Sequence, residues 1–168
     1  MQTNVNLIES LGPDAARLVE IRFRPFWEYI EAVRHLGESL CKTTFGTSSV
    51  SDRVQLVIQE ALENAVKYSE TGLEEELEIT ISSSSENIEI TIASKPTPED
   101  LERLRAELDW IGGKDPQTAY IEAFKRAADT PGGSARLGLA RMRFEGKVEL
   151  SLDETKDGRI RLSARGAI

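Results

Sequence analysis

The sequence predicts a two-layer α/β sandwich, in which a mixed, mostly antiparallel sheet carries its helices together on one face. Five short segments alternate apolar and polar residues, as strands do when only one side is buried. Alternation favours an antiparallel sheet with one covered and one wet face, and the helices must then lie on the covered face. No repeat and no domain boundary divides the chain, so residues 1–168 are expected to form a single domain, with residues 1–16 as an arm or edge.

The first five elements are predicted from periodicity and from turn residues. Val19, Ile21 and Phe23 alternate with charged residues, and Pro25 ends that strand. Two stretches with helical spacing of apolar residues follow, and Ser49 with Asp52 three positions later is typical of a helix start. Two alternating runs around a serine-rich turn then predict a hairpin. These elements are strand 17–23, helix 26–42, helix 54–69, strand 77–81 and strand 88–92.

The last five elements follow from the same signals. Thr97 and Pro98 are the expected cap and first turn of a helix, and the glycines after residue 111 end it. The dipeptide at 157–158, Asp-Gly, is typical of the turn of a hairpin. The outer side of one strand of that hairpin is acidic and that of the other is basic, so cross-strand ion pairs are expected. These elements are helices 98–111, 116–128 and 137–144 and strands 148–152 and 160–164.

The helix at residues 54–69, VQLVIQEALENAVKYS, is the stretch around which the function is interpreted. Its apolar residues gather on one side at about 100° per residue, and Asn64 projects near the border of that stripe. Asparagine is a poor residue for a helix interior, and Glu60 lies one turn earlier on the same side. A carboxylate and an amide at the edge of a buried face predict a ligand site. The alternative is a solvated helix face that carries a Glu63–Lys67 ion pair.

Charge and composition exclude several classes of function. The net charge of −8 argues against sequence-independent binding of nucleic acid and against binding to anionic membranes. No apolar run approaches the roughly 18 residues of a spanning helix. The first residues lack the basic and apolar regions of a signal peptide. Cys41 and His35 are each single in the chain, so no disulfide and no cysteine or histidine metal cluster is expected. We expect a cytoplasmic protein.

The segment TPGGS at residues 130–134 is the most turn-rich part of the chain and precedes a predicted helix. A glycine loop at a helix N-terminus offers free N–H groups and a positive dipole end, which suits phosphate. The side-chain oxygen of an asparagine is a suitable ligand for magnesium bound to such phosphates. A nearby glutamate can orient or deprotonate an attacking hydroxyl. A plain turn is the alternative interpretation of this segment.

Together these features resemble the GHKL ATPase superfamily, whose Bergerat fold is found in histidine kinases and gyrase. The sequence E-A-L-E-N-A from Glu60 matches the N box of that family, E-x-x-x-N-A. Residues 130–139, TPGGSARLGL, are similar to its second glycine box, and the order of elements agrees over about residues 17–165. Within the superfamily, the chain is most similar to the bacterial anti-sigma-factor serine/threonine kinases, which act in signal transduction by partner switching.

The resemblance implies a function and a set of site residues. Glu60 would act as the catalytic base, and Asn64 would hold Mg²⁺ bound to ATP. The remaining contacts to the phosphates would come from Lys67 and from the glycines Gly132, Gly133 and Gly138. The partner would be a small anti-sigma-antagonist-like protein, phosphorylated on serine or threonine, or a sigma factor, and a homodimer is compatible with this class.

Three departures from the family pattern support a second interpretation. The first glycine box, D-x-G-x-G, should follow the strand that ends near Ala93, but the chain reads SKPTP there. Ser134 and Arg136 stand near expected glycines of the second box, and two predicted helices replace the lid. With no aspartate to hold the adenine amino group, ATP should bind weakly. The alternative function is therefore a pseudokinase-like module that sequesters a partner protein without binding ATP.

Overall fold

A computed structural model describes residues 14–46, 49–68, 75–129 and 135–168 and shows a five-stranded sheet with five helices. The strand order is β1-β2-β3-β5-β4, and every neighbouring pair is antiparallel. The strands are β1 Ala16–Phe23, β2 Leu77–Ser83, β3 Asn87–Ser94, β4 Glu149–Glu154 and β5 Ile160–Ala167. The helices are α1 Trp27–Phe45, α2 Ser49–Tyr68, α3 Pro98–Gly112, α4 Pro116–Asp129 and α5 Ala135–Phe144.

One apolar core lies between the sheet and the helices, which confirms the predicted two-layer sandwich. Ile79 of β2 and Ile90 of β3 are 1% and 2% exposed, and they belong to the same apolar cluster as Leu62 of α2. The sequence predicted a mixed, mostly antiparallel sheet, and the described strands are all antiparallel to their neighbours. No helix in the described ranges is both long and apolar enough to cross a membrane.

Helix α2 is the centre of the core and carries the buried stripe that its periodicity predicts. It begins at Ser49, five residues before the stretch chosen from the sequence. Asp52 lies in its first turn, where a carboxylate interacts favourably with the positive end of the helix dipole. Asn64 is buried at the edge of the stripe, next to Val57 in helical projection, as the periodicity predicts. An amide is therefore held inside the helix face that packs on the sheet.

The polar face of the sheet is less wet at its centre than the alternation predicts. Thr80, Thr91 and Ser163 lie on that face of β2, β3 and β5, and all are buried. Glu89 is also buried there, at 7% exposure, and burial raises its pKa against the opposing effect of the arginines of β5. The prediction of a wet face was wrong for these positions, because each lies on a strand that has a neighbouring strand on both sides, and adjacent side chains shield it from solvent.

The cross-strand ion pairs are realised only in part. The register sets Glu149 opposite Arg165 and Asp153 opposite Arg161, as the charge pattern predicts. The close ion pairs on this face are instead made to Glu78, whose Oε2 lies 2.9 Å from Nε of Arg22 and 3.6 Å from Nη2 of Arg159. Arg161 and Arg165 of β5 therefore lie opposite the acidic residues of β4 in the register, without a close ion pair to them among the described contacts.

Helices α3 and α4 follow one another between β3 and α5, as the sequence predicts. Thr97 caps α3 as predicted, since its hydroxyl accepts a hydrogen bond from the N–H of Asp100 at 3.2 Å. The ring of Trp110 near the end of α3 lies 4.1 Å from the Arg126 guanidinium of α4 and 5.2 Å from the Lys114 ammonium. These cation–π contacts join the two helices.

Cys41 should be inert in the folded protein and reactive only when α1 separates from the core. Its side chain is 1% exposed, and burial raises its pKa to about 11, so about one thiol in a thousand is ionised at pH 8. We expect Ellman's reagent to label native protein at least about a hundredfold more slowly than protein in urea. Equal labelling rates in the two conditions would show that α1 does not pack as described.

Candidate nucleotide site

The candidate site lies where α2 meets the first turns of α5. A methyl group added at Gly138 would lie 2.7 Å from Oε2 of Glu60 and 3.2 Å from Nδ2 of Asn64. The absence of a side chain at position 138 therefore lets the backbone of α5 approach both polar side chains of α2. The structure brings together three of the residues that the sequence singled out, from positions more than seventy residues apart.

Glu60 is held by an arginine that sequence reasoning missed. Nη1 of Arg141 donates to Oε1 of Glu60 at 3.0 Å, and Nε of the same arginine donates to Oε2 of Glu145 at 3.0 Å. Burial raises the pKa of Glu60, and Arg141 opposes that shift. Arg141 follows Gly138 by three positions, which places the two on one side of α5. That spacing is the signal that could have identified it.

Asn64 has an unsatisfied amide. It is 8% exposed, and its Nδ2 has no hydrogen-bond partner among the described residues. A buried polar group without a partner costs about 1–3 kcal/mol, so this position favours a ligand that supplies one. A half-turn of the amide exchanges Nδ2 and Oδ1 and would present an acceptor to a cation instead.

A small apolar cavity lies beside Asn64, at the end of β3. Its volume is about 20 Å³, which is room for about one water molecule. Leu104 of α3 forms part of its wall, together with Ser94 and Pro96 after β3. Helix α3 thus leaves little free space on this side of Asn64.

A larger polar cleft lies on the other side of Glu60. It has a volume of about 270 Å³ and opens to solvent between α1, α2 and α5. Its wall includes Arg34 from α1 and Gln55 and Gln59 from α2, besides Glu60 and Arg141. Asn64 therefore lies beside a small apolar cavity, and Glu60 lines a polar cleft wide enough for a peptide side chain.

The other predicted site residues are placed less directly. Lys67 is exposed in the last turn of α2, and no described contact joins it to Glu60, Asn64 or Gly138. Gly132 and Gly133 lie outside the described residues. Within the described ranges, no three histidine, cysteine or acidic side chains come together as a metal cluster.

Comparison with solved structures identifies the fold. A chain in the crystal structure of the SiaB-SiaC complex from Pseudomonas aeruginosa matches 99% of this chain over 98% of its own length, with a TM-score of 0.67 and 20% sequence identity. At this identity the likeness shows the fold alone. No protein-family model matches the chain, and no curated protein matches it at a significant level.

Proposed function

We propose that this chain is a signalling regulator of the partner-switching type, which controls a small partner protein and retains a weak grip on magnesium-ATP. The observation that carries the proposal is the contact of Gly138 with Glu60 and Asn64, because it joins the N box to the second glycine box. The similar fold of a chain from a two-protein complex is consistent with control of a partner. The GHKL relationship and the kinase class of the activity belong to the same proposal.

The phosphate half of a nucleotide site fits the residues present, whereas the base half does not. Asn64 offers a buried amide without a partner, and α5 begins beside it, so a phosphate-bound cation has a ligand and a helix N-terminus nearby. The base half has neither an aspartate nor space, since its cavity has a volume of about 20 Å³. Loss of a charge-assisted hydrogen bond of the aspartate kind costs about 1.5–3 kcal/mol, or roughly one to two decades of affinity.

In the kinase form of the proposal, Glu60 acts on a hydroxyl that enters through the polar cleft. Bound ATP would supply the phosphoryl group, with magnesium neutralising charge on its phosphates. Arg141 fixes the carboxylate of Glu60 at the inner end of the cleft. Glu60 then orients the serine or threonine hydroxyl of the partner and accepts its proton.

A second function, sequestration without catalysis, is favoured by a different observation. Arg141 already occupies Oε1 of Glu60, and Leu104 already fills the side of the site where adenine would bind. A chain in this state binds its partner through its surface and has no need of nucleotide. Binding of magnesium-ATP therefore distinguishes the two functions.

Calorimetry with magnesium-ATP and an Asn64→Ala variant is the experiment that tests the proposal. We expect weak binding to the natural chain with poor discrimination between ATP and GTP, because the base-reading aspartate is missing. Asn64→Ala should abolish that binding, because Asn64 is the proposed ligand of the cation.

The matched control is Asn87→Ala, which makes the same substitution at the opposite end of the sheet. Asn87 pairs with Ala167, whereas the cavity beside Asn64 lies at the end marked by Ser94 and Ile160. The control should bind as the natural chain does. No binding at millimolar ATP, with a partner still captured, would establish the sequestering module. Tight, adenine-selective binding would contradict the weak grip proposed here.

A further inference from the structure

The polar cleft beside Glu60 follows the outer side of α2 for about two helical turns. Asp52, Gln55 and Glu60 all line it, and Asp52 precedes Glu60 by eight positions. At a rise of 1.5 Å per residue, eight positions of an α-helix span about 12 Å. The cleft therefore extends well past the point where a hydroxyl would meet Glu60, and it has room for residues that neighbour that hydroxyl in a peptide.

The two guanidinium groups of the cleft already have acidic partners. Arg34 of α1 forms a bidentate pair with Glu31, in which the two N···O distances are 2.6 and 3.1 Å. Arg141 of α5 lies between Glu60 and Glu145, at 3.0 Å from a carboxylate oxygen of each. The cleft therefore has no surplus positive charge for an anionic side chain.

Asp52 is the carboxylate of the cleft that lacks a cationic partner. The residue is exposed, and no ion pair reaches it among the side chains that the structure describes. The positive end of the α2 dipole offsets about half of its charge. The end of the cleft away from Glu60 is therefore negative, and a cationic side chain would complement it. The net charge of −8 attracts a cationic partner segment in the same sense.

We propose that the cleft selects a partner segment in which a lysine or arginine stands three or four residues from the serine or threonine that meets Glu60. An extended chain advances about 3.3 Å per residue, so three or four residues cover the helical span from Asp52 to Glu60. The cationic side chain then pairs with Asp52 while the hydroxyl lies at Glu60. This specificity rests on the function proposed above, because it takes Glu60 as the group that receives the hydroxyl.

A single lysine moved along a synthetic peptide tests this specificity. Each fluorescein-labelled peptide has a central threonine, one lysine at one of the five positions on either side, and alanine or glycine elsewhere. Fluorescence anisotropy in the absence of nucleotide measures binding to the natural chain. Peptides with lysine three or four residues from the threonine, on one side of it, should bind about five- to tenfold more tightly than the others.

Asp52→Lys should reverse this preference. The variant should favour peptides with glutamate in place of lysine at the same positions, by about the same factor. Asp52→Asn removes the charge without adding another, so it should abolish the preference, and it still tests the pairing if lysine at this position unfolds the chain. Asp109→Lys is the matched control, because Asp109 is exposed on α3 and lies outside the cleft. The control should keep the preference of the natural chain.

Phosphotransfer from magnesium-ATP to the same peptides separates this inference from the function on which it rests. If the chain is a kinase, the favoured peptides should have a KM about five- to tenfold lower at a similar kcat, since Asp52 lies away from the reacting atoms. Preferential binding without any phosphotransfer would retain the specificity and remove the kinase activity.

Four outcomes overturn the inference. They are equal binding of all the peptides, a preference at other positions, a preference that Asp52→Lys and Asp52→Asn leave unchanged, and no binding of any peptide at millimolar concentration. A preference at three or four residues that Asp52→Asn abolishes and Asp109→Lys retains supports it.

Discussion

Glu60→Gln should lower transfer of the γ-phosphate from magnesium-ATP by about 10²–10⁴-fold, the usual contribution of a general base. Glutamine keeps the shape of the side chain and can still accept the hydrogen bond from Nη1 of Arg141, which is 3.0 Å long in the natural chain. The variant should therefore bind ATP normally, since Asn64 is unchanged. Labelled phosphate, counted as transferred or released, measures the effect.

The same variant should be more stable than the natural chain at neutral pH. Burial raises the pKa of Glu60, so the folded state disfavours the charged carboxylate once the pH exceeds that pKa. Glutamine carries no charge and removes this penalty. The difference in melting temperature should shrink as the pH falls, because the carboxyl of the folded natural chain takes up its proton above the ordinary pKa of a glutamate, and below that ordinary pKa the carboxyl is protonated in the folded and the unfolded state alike.

Glu145→Gln is the control for both measurements. Glu145 accepts from the other side of Arg141 at 3.0 Å but does not lie on α2. Its substitution should leave phosphotransfer within a few-fold of the natural rate. If the natural chain turns over ATP measurably and Glu60→Gln does so at the same rate, Glu60 has no part in the proposed chemistry.

Arg143→Met should destabilise the fold by about 3 kcal/mol. The Arg143 side chain is 10% exposed, and Nη1 donates to the carbonyl oxygens of Ile111 and Lys114 at the end of α3. Hydrogen bonds from a charged donor contribute about 1.5–3 kcal/mol each, and the variant leaves both carbonyls without this partner. In a chain of this size the melting temperature should fall by about 6–12 °C.

Urea denaturation of the natural chain and both variants gives the free energies for this comparison. Arg103→Met is the matched control, because Arg103 lies on α3 and is 67% exposed, and its ion pairs among the described residues are with acidic side chains of its own helix. Exposed pairs of this kind contribute little, so the control should change stability by less than about 1 kcal/mol. Equal effects of the two substitutions would show that Arg143 does not anchor α3.

Much of the fold could be predicted because it depends on local periodicity. Alternation fixed the faces of the strands, and the apolar stripe of α2 identified its buried side, including the position of Asn64 beside Val57. The wet face was mispredicted at Thr80 and Glu89, since periodicity shows which side of a strand is apolar but not how well its polar side is shielded.

The candidate site could be predicted only where a motif spans it. Glu60 and Asn64 are one turn apart, and Gly138 belongs to the glycine box, so the resemblance named all three. Arg141 and Leu104 act through contacts with residues distant in sequence. The spacing from Gly138 places Arg141 on the correct side of α5, but no local motif identifies Glu60 as its partner or places Leu104 beside Asn64. ATP, magnesium and the kinase activity stay predictions until binding is measured.

The place of β5 in the sheet has a consequence for how the chain folds. β3 pairs with β5 along its whole length, from Asn87 opposite Ala167 to Ser94 opposite Ile160. The nearer ends are 66 residues apart (160 − 94), and α3, α4, α5 and β4 all lie between them. Closing a loop of that length costs about 4 kcal/mol of chain entropy before the pairing compensates for it. Closure of this loop should therefore limit the rate of refolding. Until β5 pairs with β3, the unpaired edge of β3 can pair with other chains and aggregate.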